Sequence, residues 1–128
     1  MKNTFGRLVL LVHDYDAATS FYIKHFGCKV VYDQIAPNGQ RYVHIGFDNT
    51  DNTGIWLLKA DTDIQQKQVG NQITGQPLMV IYTDDIHSLY NQLSEAGVQT
   101  KGVPVITAAY SFFHCYDLYE NEIVVVQV

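Results

Sequence analysis

Residues 8–27 have the sequence LVLLVHDYDAATSFYIKHFG, and residues 78–97 have the sequence LMVIYTDDIHSLYNQLSEAG. Each stretch contains a short apolar run, an acidic turn, a segment with apolar residues at three- and four-residue steps, and a final glycine, Gly27 or Gly97. This order predicts a β-strand that is buried on both faces, followed by an amphipathic helix that ends at the glycine. Because the two stretches are offset by 70 positions, the chain contains an internal repeat.

Each half of the chain continues after its helix with three further strand candidates. The helices are predicted over residues 17–26 and 86–96, and Asp16 is the expected N-cap of the first. The remaining strands are predicted at residues 28–34, 40–47, 54–59, 98–101, 108–116 and 122–128, with a polar turn at 48–53. Residues 61–76 are poor in apolar side chains and are predicted to connect the halves.

A strand, a helix and three more strands form a βαβββ module, whose sheet is covered by a helix on one face only. Because the other face also has to be buried, two modules are expected to pair. The sequence therefore predicts an α+β fold with one domain over residues 1–128, built from two tandem modules at about 1–60 and 77–128. Their curved mixed sheet would surround a central cavity, which is where a ligand is expected to bind.

The charge and apolar pattern of the chain disfavour several classes of partner. The net charge is −5, from 8 Lys and Arg against 13 Asp and Glu, so we expect no nucleic-acid partner. The longest apolar runs, such as residues 8–12, are much shorter than the ~20 residues of a membrane span, so we expect no membrane insertion. The two cysteines, Cys28 and Cys115, lack metal or disulfide spacing, which favours a reduced cytoplasmic setting.

Short sequence motifs in both halves of the chain, in their order and spacing, resemble those of the vicinal oxygen chelate superfamily. This superfamily includes glyoxalase I, bleomycin-resistance proteins and extradiol dioxygenases. The resemblance covers essentially the whole chain. The matching residues are Val12, Asp14, Ser20-Phe21-Tyr22 and Gly27 in the first half, Asp84-Asp85-Ile86 and Glu95-Ala96-Gly97-Val98 in the second, and an altered turn, Asp117-Leu118-Tyr119-Glu120-Asn121, that lacks the usual Pro and Gly.

The resemblance implies four metal-ligand positions, two in each module. In this chain they are occupied by Arg7, Leu78, Val124 and either Trp56 or Leu57. A guanidinium and hydrocarbon or indole side chains are not metal ligands. The sequence therefore predicts no metal and no other cofactor, and it favours the non-enzymatic, bleomycin-resistance branch of the family.

Two of the five histidines occupy equivalent mid-strand positions in the two modules. His44 and His114 are both flanked by aromatic residues, and together they are candidates for an acid–base pair or a relocated metal site. The alternative is that each is a partly buried histidine bonded to a neighbouring group. His13, His25 and His87 lie at helix ends, where a solvated surface position is expected.

The aromatic content of the strands predicts what the cavity would bind. Arg7 is a candidate to bind a carboxylate or phosphate, with an exposed strand-start residue as the alternative. The resemblance implies which strand positions face the cavity, and by period-two alternation the residues with that parity are Trp56, Leu58, Leu78, Val80, Tyr82, Val124 and Val126. The predicted ligand-binding residues are Arg7, Tyr42, His44, Trp56, Tyr82, Phe112 and His114.

The leading hypothesis is a protein that binds a small aromatic or hydrophobic molecule, flat or cationic, without metal chemistry. The resemblance also implies a homodimer, in which the modules pair within one chain or are swapped between chains. The alternative is a glyoxalase- or dioxygenase-like lyase or isomerase. Such an enzyme would use a relocated metal or the His44/His114 pair. A third possibility is a fold that is kept only as a dimerising or regulatory partner.

Overall fold

The computed structural model describes residues 1–48 and 53–128, so most of the turn predicted at 48–53 lies outside the described residues. The chain divides into two units, Met1–Val69 and Gly70–Val128. The boundary falls inside the segment predicted as a connector.

The first unit contains a four-stranded mixed sheet and two helices. Its strand order is β1-β4-β3-β2, with β1 parallel to β4 and the other neighbours antiparallel. The elements are β1 (Arg7–Val12), α1 (Tyr15–Phe26), β2 (Lys29–Ile35), β3 (Arg41–Gly46), β4 (Gly54–Lys59) and α2 (Asp63–Gln68).

The second unit repeats the same strand arrangement. Its order is β5-β8-β7-β6, with β5 parallel to β8. The elements are β5 (Met79–Thr83), α3 (Ile86–Glu95), β6 (Thr100–Ile106), β7 (Ser111–Tyr116) and β8 (Glu122–Gln127). The predicted α+β class and the two βαβββ modules are thus confirmed.

Each sheet buries one face against its own helix. In the first unit this helix face carries Leu10, Val12, Val43, Ile45 and Leu57, packed with Ala18 and Tyr22 of α1. In the second unit it carries Ile81, Phe113, Cys115, Ile123 and Val125, packed with Ile86 and Leu93 of α3. We call the opposite side of each sheet its distal face, where the alternate residues of every strand lie.

The prediction that β1 and β5 are buried on both faces was wrong. Leu8 and Val9 are 67% and 40% exposed, and Val80 and Tyr82 are 54% and 69% exposed. Both strands are edge strands with a helix on one side only, so their apolar content reflects β-propensity as well as burial.

The first helix begins two residues before the predicted start, and its N-cap is Asp14 rather than Asp16. The Asp14 carboxylate accepts a hydrogen bond from the Ala17 amide at 2.8 Å. Asp16 lies in the first turn, where its carboxylate accepts from Arg41 at 3.0 Å. The helix ends as predicted at Gly27, whose φ of 74° is in the left-handed region.

Three other element boundaries differ from the prediction. The predicted connector contains α2, which begins with a capping box between Thr62 and Gln65 although its sequence is mostly polar. Strand β6 extends to Ile106 rather than 101, because an edge strand tolerates Gly102 and Pro104. Strand β7 begins at Ser111 rather than 108.

The altered turn before β8 keeps a compact form without its proline and glycine. The buried Asp117 carboxylate accepts hydrogen bonds from the amides of Tyr119 and Asn121 and from the Asn121 side chain, at 2.8 to 2.9 Å. Glu120 has a φ of 68°, which is unusual for a residue with a side chain. The Asp117 hydrogen bonds therefore hold the turn in a conformation that glycine would adopt more easily.

Asp14→Ala should lower the free energy of unfolding by about 1 kcal/mol, because it removes the side-chain acceptor of the α1 N-terminus. Asp16→Ala is the matched control and should cost less than about 0.5 kcal/mol, since it removes only an exposed ion pair. Urea denaturation followed by circular dichroism measures both. Equal losses for the two variants would contradict the assignment of Asp14 as the cap.

Candidate functional site

A row of ring side chains crosses the distal face of the first sheet. Tyr32 of β2 stacks on His44 of β3, with ring centroids 5.2 Å apart. Trp56 of β4 lies edge-on to His44 at 6.3 Å and tilted against Tyr42 at 5.7 Å. The row forms because Tyr32, His44 and Trp56 are direct cross-strand neighbours in the sheet register.

Arg7 brings a positive charge to the same face. It is the first residue of β1 and lies opposite Gly54 of β4, which is two residues before Trp56. A Cβ atom at Gly54 would lie 3.6 Å from the Arg7 Cδ, so the stem of the arginine lies beside the glycine. Its Nη1 donates a hydrogen bond to the Gly6 carbonyl at 2.8 Å.

His44 is biased towards its neutral form. Desolvation is the main cause of the lowered pKa of His44, and the positive charge of Arg7 adds to it. A neutral imidazole keeps one nitrogen as a donor and the other as an acceptor. The face therefore carries the cationic side chain of Arg7 next to a histidine whose neutral form is favoured.

The indole N–H of Trp56 is a donor for which the described residues offer no acceptor. Its Nε1 atom is covered by protein, and no described residue of the chain accepts a hydrogen bond from it. Leaving such a donor unpaired costs about 1–3 kcal/mol, so an oxygen that reached it would be bound favourably.

A depression of about 520 Å³ adjoins the ring row in the first unit. Its wall consists of Tyr32, Gln34, Ile35, Ala36, Pro37, Tyr42 and His44. The β2–β3 hairpin supplies one side, and the ring row supplies the other. The depression is large enough for a small organic molecule.

On the distal face of the second sheet, a carboxylate is bonded to His114. The Nδ1 of His114 and the Oε2 of Glu122 are 2.5 Å apart, and the Glu122 side chain is only 11% exposed. Lys101 of β6 lies near the second carboxylate oxygen of Glu122, with 3.9 Å between the Lys101 Nζ and the Glu122 Oε1. A carboxylate at Nδ1 fixes the tautomer with Nε2 as the acceptor, which is the arrangement of a general base.

The second distal face also carries aromatic side chains. Phe112 lies edge-on to His114 at 5.7 Å and tilted against Tyr110, also at 5.7 Å. Tyr82 lies at the exposed end of β5, opposite Val126 of β8.

A separate polar cavity of about 310 Å³ lies near the altered turn of the second unit. It contacts Lys101, Tyr116, Glu120 and Glu122, together with the segment at 70–76.

The residues at the family's metal positions do not fit a metal ion. The register places Trp56 opposite His44 and Val124 opposite His114, so both lie on distal faces, whereas Leu57 is buried on the helix face. Of the two alternatives for the implied metal position on β4, Trp56 therefore corresponds to Val124, and Leu57 does not. Among the described residues, no group of three or more His, Cys, Asp or Glu side chains is close enough to hold an ion.

The structure gathers the predicted site residues into two sets. Arg7, Tyr42, His44 and Trp56 lie on the first distal face, and Tyr82, Phe112 and His114 lie on the second. An approach of His44 to His114 stays a prediction.

Sequence reasoning missed Tyr32, Glu122 and Lys101. Glu122 has the same period-two parity as Val124, so its position on the distal face was present in the sequence pattern. A β-bulge between Val30 and Tyr32 interrupts the alternation of side chains along β2, so the sequence pattern does not predict which face Tyr32 occupies.

A family model described as Glyoxalase/Bleomycin resistance protein/Dioxygenase superfamily matches residues 4–125. The chain belongs to this superfamily. The resemblance seen in the sequence is thereby confirmed, although the branch within the superfamily is not distinguished.

Several solved structures share the fold of this chain at low sequence identity. The protein UcmS2 has a TM-score of 0.82 at 19% identity, covering 98% of both chains. TnmS3, an antibiotic-binding protein from Streptomyces sp. CB03234, has a TM-score of 0.78 at 22% identity, covering 98% of this chain and 96% of TnmS3. A trypanothione-dependent glyoxalase I of Leishmania major has a TM-score of 0.74 at 15% identity, covering 98% and 87%.

These similarities establish the glyoxalase-like fold and no activity, because the same fold occurs in a binding protein and in an enzyme. None of the helices in the described part of this chain is long and apolar enough to cross a membrane.

The lowered pKa of His44 should destabilise the protein in mild acid. The unfolded chain binds a proton near pH 6.5, whereas the folded chain resists protonation, so stability present above that pH is lost as the pH falls towards the folded pKa. An NMR titration of the His44 ring should give a midpoint below the ordinary value. Arg7→Gln should raise this midpoint, and Lys59→Gln, on the helix-face register of β4, should not. If Arg7→Gln left the midpoint of the His44 titration unchanged, this result would contradict the proximity of Arg7 and His44.

Glu122 should fix the tautomer of His114. Long-range proton–nitrogen NMR correlations should show the neutral His114 ring protonated at Nδ1, because that nitrogen donates to the Glu122 carboxylate. Glu122→Ala should shift the proton towards Nε2. His44 is the internal control, and its tautomer should not change. A His114 ring protonated at Nε2 in the unaltered protein would rule out this arrangement.

Proposed function

We propose that this protein binds a small aromatic organic molecule on the distal face of its first sheet, without the metal chemistry of its enzymatic relatives. The single observation that carries the proposal is the ring row of Tyr32, His44 and Trp56 beside a depression of about 520 Å³.

Ring stacking supplies the binding energy in this proposal. Tyr32, Tyr42 and His44 line the depression, and their rings present flat surfaces that an aromatic ligand can contact. Such contacts contribute about 0.5–1.5 kcal/mol each beyond the buried area. The existence of an antibiotic-binding protein with the same fold, TnmS3, is compatible with this use of the fold.

The side chains at the implied metal positions favour binding over metal catalysis. Arg7 and Trp56 offer only donors, and Leu78 and Val124 offer no polar group at all. A ligand with an oxygen atom fits the first pair better than a cation does.

Titration with 2-naphthamide, a neutral aromatic probe, tests the proposal. Trp56 is the sole tryptophan, so its fluorescence reports binding near the ring row. Tyr32→Leu and Tyr42→Leu should each weaken binding by about threefold to tenfold, since each removes one ring contact. Tyr15→Leu is the matched control, because Tyr15 contacts Arg41 at the start of α1.

Equal effects of all three tyrosine substitutions, or no binding of any naphthalene-sized probe in a thermal-shift and fluorescence screen, would contradict the proposal.

The bond between His114 and Glu122 favours a second candidate function. An imidazole oriented by a buried carboxylate is suited to proton transfer in a lyase or isomerase reaction. His44 has no such carboxylate in its described surroundings, so the acid–base role is assigned to His114 rather than to a pair of equal histidines. Turnover of a carbonyl substrate that is lost in His114→Gln would support this function over simple binding.

The wider predictions remain proposals. We retain a central cavity between the modules, a homodimer and a reduced, cytoplasmic setting. Burial raises the pKa values of the free thiols of Cys28 and Cys115 to about 11 and about 12 and keeps them protonated, which is compatible with that setting.

A further inference from the structure

We propose that the ligand of the first distal face is an aromatic carboxylate, whose ring contacts the ring row and whose carboxylate is bound by Arg7. This inference rests on the proposed function and adds the charge and the polar group of the ligand. It is carried by two donor side chains, Arg7 and Trp56, that lie at neighbouring positions on the same face as the rings.

Arg7 supplies the charge. It lies at the β1 end of the distal face, opposite Gly54, and it is close enough to His44 to lower the pKa of that histidine. A guanidinium presents paired N–H groups that match the two oxygens of a carboxylate. The Cδ of Arg7 would lie 3.6 Å from a Cβ atom at Gly54, so the stem of Arg7 lies beside β4 on this face.

Trp56 supplies a second donor. Its N–H is buried, and no described residue accepts a hydrogen bond from it. An indole can donate only, so an acceptor is the group that would pair with it. Gly54 and Trp56 are two residues apart on the same face of β4, so Arg7, which lies opposite Gly54, and Trp56 occupy neighbouring positions on one face of the sheet.

The strands of the first sheet provide no acidic side chain on this face. Asp33 is the acidic residue within β1–β4, and the register places it opposite Val43, on the helix face. Its carboxylate accepts two hydrogen bonds from Arg41, at 2.8 and 2.9 Å. A cationic ligand, which the aromatic content alone would allow, would meet Arg7 without a strand carboxylate to offset the repulsion.

The ring row determines the rest of the ligand. Tyr32, His44, Tyr42 and Trp56 are uncharged or biased to neutrality, so they favour a flat apolar body. A flat apolar body with one anionic end is an aromatic carboxylate. A phosphate-bearing sugar or an aliphatic acid would leave the rings without a partner.

Three probes with the same ring system distinguish the effect of the ligand's charge on affinity from the effect of its shape. They are 2-naphthoate, which is anionic, 2-naphthamide, which is neutral, and 2-(aminomethyl)naphthalene, which is cationic. Affinities are measured at pH 7.5 by Trp56 fluorescence and NMR titration of the full chain. We expect 2-naphthoate to bind about tenfold more tightly than 2-naphthamide, and the cationic probe to bind most weakly.

Substitution of Arg7 tests which group recognises the anion. Arg7→Gln should abolish the tenfold preference for 2-naphthoate while the affinity for 2-naphthamide changes less than about twofold. Arg7→Lys, which keeps the charge but not the paired geometry, should retain part of the preference. Lys59→Gln removes one positive charge from the helix-face register of the same sheet and should leave the preference unchanged. Circular dichroism of each variant confirms that the fold is retained.

The outcomes separate this inference from the proposed function. If 2-naphthamide binds as tightly as 2-naphthoate, or if Arg7→Gln leaves the preference intact, the carboxylate assignment is wrong while aromatic binding stands. If none of the three probes binds, both are wrong. Equal losses in Arg7→Gln and Lys59→Gln would show a general charge effect and would also overturn the assignment.

Discussion

Each module depends on one geometric constraint: a β-strand points alternate side chains to opposite faces, and one helix covers only one of them. In β3, Val43 and Ile45 are buried under α1, so Tyr42 and His44 necessarily lie on the distal face. The residues that stabilise the fold and those available for function therefore alternate along the same strand. Substitutions on the distal face can change chemistry without removing the core.

The two copies of this arrangement in the internal repeat carry different side chains around equivalent histidines. His44 and His114 hold equivalent register positions, opposite Trp56 and Val124. The first histidine lies near a guanidinium, and the second is bonded to the carboxylate of Glu122. One scaffold thus carries a donor-rich aromatic face and a face with an oriented imidazole. The tasks that we propose for the two faces therefore differ, namely binding of an anion and movement of a proton.

Much of the fold was predictable because the internal repeat, the helix-ending Gly27 and the succession of strands and helix along the chain can all be read from the sequence. The cap at Asp14 was missed because Asp16 is an equally good capping residue by type, and only the backbone decides between them. The site was half predictable. Arg7 and Trp56 became candidates through the family resemblance and His44 through its mid-strand position, whereas the partnership of His114 with Glu122 depends on cross-strand register, which one sequence does not reveal.

The account rests on the distal face of the first sheet as the place where a ligand binds. Chemical-shift mapping with 2-naphthoate on uniformly labelled protein tests this most directly. Side-chain signals of Tyr42, His44 and Trp56 should shift, and those of the intervening Val43, Ile45 and Leu57 should shift far less, which gives a period of two along β3 and β4. Shifts of equal size on both sets, or shifts confined to α1, would contradict the account.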